Sequence, residues 1–160
     1  MTLPAGPYLP TGALVAVGWI GSRVPGITDA MVSTKLPRDI ATWGELGFVQ
    51  ITVIPGSIEI DSGGRRRTTA QIDAWGVTMR ADGSASSKPA VGKATRLAEL
   101  ILRACEDDVQ SFGRPVEMPD DYLAARVLAA YPLTDPSPVP DDPSGYGRVT
   151  FDLALDWVRA

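Results

Sequence analysis

The chain has 160 residues, 15 of them basic and 19 acidic, for a formal net charge of −4, and it contains no histidine. That length predicts one domain with a core of its own. The missing histidine removes Ser-His-Asp and Cys-His catalysis, imidazole metal ligands and the usual pH switch, and the acidic balance argues against general nucleic-acid binding.

Cys105 is the single cysteine, so no internal disulfide forms, and the usage fits a reducing compartment. No basic leader runs into an apolar segment, so no signal peptide is expected. The longest apolar run, 13–20, falls short of the roughly 20 residues that span a bilayer.

In chain order, residues 1–10 hold Pro4, Pro7 and Pro10 and read as an irregular N-terminal arm. Thr11 can cap a helix running to about Arg23, ended by Pro25-Gly26. Gly12, Gly18 and Gly21 weaken that helix, and a buried strand over 13–20 competes with it. Residues 27–36 read as a strand stopped by Pro37, and 39–47 as a connector carrying Trp43. Residues 48–54 alternate: Val49, Ile51 and Val53 share one face, Gln50 and Thr52 the other. A loop over 57–67 holds Gly63-Gly64, and 68–77 is again strand-like.

Turn chemistry at 82–89 precedes a helix over about 90–107, with Ala94, Leu97, Ala98, Ile101 and Cys105 on one face. A polar connector fills 108–121. Residues 122–133 suit a helix by alanine content, but a strand over 126–133 is favoured because the next segment needs a partner. That segment, RVTFDLALDWVR, alternates throughout: Val149, Phe151, Leu153, Leu155 and Trp157 against Thr150, Asp152, Ala154 and Asp156. The Pro/Asp-rich loop 134–147 lies between. The order predicts an α+β domain: an antiparallel β-sheet with two α-helices packed on one face, plus long hairpin loops.

The chemistry-bearing candidates are few. Arg65, Arg66 and Arg67 follow Gly63-Gly64, but a strand comes next, so neither a P-loop nor a helix N-terminus is there to hold phosphate. They read either as a solvated hairpin tip or as a basic loop aimed at an acidic partner or DNA. The pairs Asp107-Asp108, Asp120-Asp121 and Asp141-Asp142 read as solvated loop residues, since a divalent site needs converging oxygens. Cys105 reads as a buried small hydrophobe. Trp157 is assigned to the core, and Trp43, in its connector, is the candidate interface anchor. No catalytic, cofactor or metal residues are assigned, so an enzyme is not expected.

The order of features resembles a known family. VSTKLPRDIATWGELGFVQITVIPG gives strand, connector and apolar strand; SGGRRRTTAQIDAWG gives a glycine-pair loop entering a strand. KATRLAELILRACED is the small-residue helix, and RVTFDLALDWVRA the alternating final strand. In order, length and character this resembles the tail terminator (tail completion) proteins of long-tailed bacteriophages, particularly of actinobacterial hosts. The resemblance implies a structural virion protein of the neck, assembled in the host cytoplasm. It implies a homohexameric ring on the head-proximal end of the tail tube that stops polymerisation and joins the tube to the head connector. The implied partners are other copies, the tube protein and the connector (stopper) protein. The resemblance also implies that genomic DNA passes through the lumen without sequence-specific binding, and it implies neither cofactor nor membrane. By the same resemblance, the 63–67 loop is where such a protein has an extended hairpin facing a neighbour or the lumen. The rival readings are another neck component (stopper or adaptor), a small anionic-ligand-binding α+β domain using Arg65–Arg67, and a DNA-binding accessory protein.

Overall fold

A computed structural model describes the chain except residues 3–5, 56–57, 60–62 and 108–111 and the side chains of residues 58 and 59. Two α-helices lie on one face of a curled sheet, so the expected α+β class holds.

Helix α1 spans Gly12–Arg23 and starts at Thr11, whose hydroxyl accepts from the Leu14 N–H at 3.3 Å. It buries Val15, Ala16, Trp19 and Ile20. The glycines that weaken it in isolation are what let it sit down. A Cβ on Gly18 would lie 2.5 Å from the Glu117 carbonyl oxygen, and one on Gly21 would lie 3.0 Å from the Asp29 Cα. Tertiary burial outweighs about 1 kcal/mol of propensity per glycine.

The strand expected over 27–36 shrinks to β1, Val32–Ser33. Residues Asp29–Met31 form a 3-10 turn closed by the Met31 N–H donating to the Thr28 carbonyl at 3.0 Å. β1 runs parallel to β2, Phe48–Val53, so the sheet is mixed at this edge and antiparallel elsewhere. A second departure concerns the loop at 57–67. Residues Ile58–Glu59 form β3 and pair with Arg67 and Arg66, which already belong to β4, Arg66–Gly76.

Helix α2, Val91–Glu106, buries Ala94, Leu97, Ala98, Ile101 and Ala104, with Cys105 partly covered beside them. Burial pushes the Cys105 thiol up to about 12. β5, Pro115–Val116, pairs with the start of β6, Ala125–Pro132, which confirms strand over helix there. The proline-rich segment contributes β7, Ser137–Pro138, and β8, Gly147–Arg159, closes the fold.

The centre is β4 against β8, eleven residue pairs from Arg66↔Trp157 to Gly76↔Gly147. The neighbours are interrupted in their middles. β2 and β3 lie in succession along β4, two residues out of register, and β6 and β7 lie likewise along β8. The helix-covered face carries Val49, Ile51, Ile72, Phe151, Leu153 and Leu155, all at most 2 % exposed. Burying such side chains contributes roughly 1.5–3 kcal/mol each.

Candidate interaction surface

Strand alternation splits the arginine triplet. Gly64 takes φ +81 with open space around it, and Arg65 is exposed at the turn. Arg66 places its guanidinium 6.0 Å from the Trp157 ring centroid. Arg67 turns to the opposite face, where its Nε and Nη2 donate to the two carboxylate oxygens of Asp156 at 2.8 and 3.2 Å. It also lies 5.8 Å from the Tyr131 ring centroid. The hydrogen bond and charge of Asp156 raise the Arg67 pKa above its ordinary value. The three arginines therefore do not converge. Two are matched by partners from β8, because successive side chains on a strand leave on opposite faces.

Trp43, the candidate interface anchor, is buried within the fold. It is 4 % exposed, donates from Nε1 to the Pro37 carbonyl at 3.0 Å, and meets the Tyr146 ring edge-on at 5.4 Å. With Phe48, Trp75 and Val77 it forms a second apolar cluster. Phe48 and Trp75 pair in register, and alternation places them opposite the helix-facing Val49 and Ala74. This cluster covers one end of the sheet face that the helices leave open.

Beside it lies a polar network missed by sequence reading. Arg148 donates to Asp73 at 2.9 Å and to Asp142 at 3.2 Å, and its guanidinium carbon stands 5.1 Å from the Trp75 ring centroid. Gln71 donates to the other Asp73 oxygen at 3.0 Å, and Trp75 Nε1 donates to Gln50 at 3.1 Å. The Asp73 side chain is 4 % exposed and that of Asp142 is 7 %. Asp142 is therefore not the solvated loop residue expected. Burial pushes its carboxyl up, but hydrogen bonds from Ser144 and the charge and hydrogen bond of Arg148 outweigh that, and its pKa falls below the ordinary value. Burial lowers the Arg148 pKa, yet Asp73 and Asp142 together raise it. Alternation in β8 puts Arg148 on this face, but nothing local shows that Asp142 folds back to meet it.

Between the network and the Arg67–Asp156 pair runs a polar strip: Thr52, Gln71 and Asp152 in one register row, then Thr69 in the next. The open face is therefore pre-arranged by hydrogen bonds and ion pairs, with matched charges at both ends. A groove of 560 Å³ near the start of α2 is walled by Pro89, Val91, Pro138, Pro140 and Tyr146. The charged side chains in its wall are Asp141 and Asp142. Among the described residues no group of three His, Cys, Asp or Glu side chains is placed to hold a metal ion. Among the described residues, too, no helix is long and apolar enough to cross a membrane.

No protein-family model matches the chain, and no curated protein matches it significantly.

Proposed function

We propose that this protein is a tail terminator of a long-tailed bacteriophage, a neck protein that caps the tail tube as a homohexameric ring and joins it to the head connector. The observation that carries the reading is the element order, helix–strands–helix–strands, closing into one helix-backed sheet. A stiff domain with an ordered polar face suits a part that works by contact. The ring would use a heterologous contact, one patch against a different patch of the next copy. Exposed Leu46, 63 % accessible in the turn before β2, is suited to the centre of such a contact.

The state of the arginines bears on the rivals. Arg67 is held by Asp156 and Arg66 stands over Trp157, so an anionic ligand would have to displace existing partners. That favours a structural role over an anion cradle. Another neck component, a stopper or adaptor, shares the chemistry argued here and differs in what it binds.

The test is assembly on the target. Purified protein mixed with tail tubes and imaged by negative stain should decorate one tube end and stop further growth. Binding to portal-side complexes instead would select the stopper or adaptor. Failure to bind either, with the protein folded, would sink the neck assignment.

A further inference from the structure

The outer edge of β6 and β7 is where this sheet would accept another strand. Its backbone can be accounted for position by position. The Ala160 N–H donates inward to the Ala124 carbonyl, so residues 125 and 127 point their backbone groups outward. Those two are covered: β5 pairs across Ala125, and the Gly113 N–H donates to the Val127 carbonyl at 2.9 Å. A bulge follows between Val127 and Ala129. Further along, the donors to β8 are the odd positions: Leu133 to the Asp152 carbonyl at 2.8 Å and Val139 to the Arg148 carbonyl at 2.9 Å. The outward positions are therefore even. Ala130 is 5 % exposed, and the other outward strand positions, 132 and 138, are both proline. Thr134 and Pro136 lie between the two strands, and Pro140 lies just past β7.

A proline facing outward has no N–H to offer an incoming strand, and its ring obstructs the approach. Pro132, Pro138 and Pro140 are exposed, and among the described residues no strand pairs along their outer side. Random placement would put some prolines at the inward positions, where each would cost a ladder hydrogen bond. None lies at the inward strand positions 131 and 137, nor at the inward donors 133 and 139.

We propose that the Pro132–Pro140 run is a fence that blocks strand addition by a second copy of this chain, so that self-assembly is confined to side-chain contacts. The edge combines three protections, a short covering strand, a bulge and prolines. The opposite edge ends in the two-residue β1. Open-ended sheet extension is the hazard avoided, because a heterologous contact that does not close yields filaments.

The experiment uses the full chain. Pro132→Thr/Pro138→Thr restores two outward N–H groups, and Pro140→Thr alone restores one at the exposed end of the run. Pro89→Thr, outside every strand, is the control. Sedimentation across a concentration series, with thioflavin fluorescence, reads self-association; far-UV circular dichroism and melting confirm the fold. The fence predicts self-association about tenfold tighter in the double variant, as one or two recovered backbone hydrogen bonds supply. A smaller gain is expected in Pro140→Thr and none in Pro89→Thr. Folded variants that self-associate no more than the parent, or an equal gain in Pro89→Thr, would overturn it. Should the double variant fail to fold, Pro140→Thr decides alone.

Discussion

Lys93 shows how much one side chain can hold. Its ammonium donates to the carbonyls of Gly44, Glu45 and Val77 at 3.1, 2.9 and 2.8 Å, tying α2 to the turn before β2 and to the end of β4. Replacing it with Met leaves three acceptors short of a donor, and we expect a loss of about 2 kcal/mol, read from the urea midpoint. Trp43→Ala should cost more, roughly 3–5 kcal/mol, because it empties the middle of the second cluster. Cys105 should react slowly with a disulfide reagent at pH 8 in the folded protein and quickly in urea, since its thiol is pushed up to about 12. The helix pattern made the partial burial of Cys105 legible. Trp43 was not, because its cover comes from Tyr146, more than a hundred residues away along the chain.

The elements differ in how plainly they can be read. β8 is visible as an unbroken alternation, and α2 as a clean apolar stripe. Residues 27–36 misled, because a β-branched, threonine-bearing run looks like a strand even where a 3-10 turn and an edge position leave it two ladder residues. The polar network was hidden for a similar reason: Asp142 meets Arg148 only when the 134–147 segment folds back on the sheet. Arg148→Met should therefore cost roughly 3 kcal/mol, since it strands two buried carboxylates. A pH dependence follows from Asp142. Its pKa is lower folded than unfolded, so its contribution is present above the unfolded value of about 4 and fades as pH falls through the folded value. Acid titration of stability should show a downward slope below about pH 4 in the parent and a shallower one in Arg148→Met.

At the scale of the whole molecule, charge is balanced locally rather than concentrated. The basic triplet that draws the eye in the sequence is divided between two faces, and two of its members, Arg66 and Arg67, stand against β8 residues. Assembly contacts are therefore expected from exposed apolar side chains more than from the triplet. If the protein caps tail tubes as proposed, Leu46→Asp should weaken that assembly while leaving the melting temperature near that of the parent, whereas Arg65→Ala should change little. An equal loss from Arg65→Ala would return the basic turn to the centre of the contact.

The central ladder has a consequence in time. Thr68 meets Leu155 and Ala74 meets Val149, so the middle of the sheet joins stretches of chain made far apart during synthesis. Until residues 147–159 leave the ribosome, β4 and β6 each lack the strand they share, and their apolar faces wait without a closing partner. Closing that distance costs chain entropy before any ladder bond repays it. Refolding should be a single slow phase rather than a stepwise build. A nascent chain stalled before β8 should be the species that chaperones bind, its half-sheet still open along the middle.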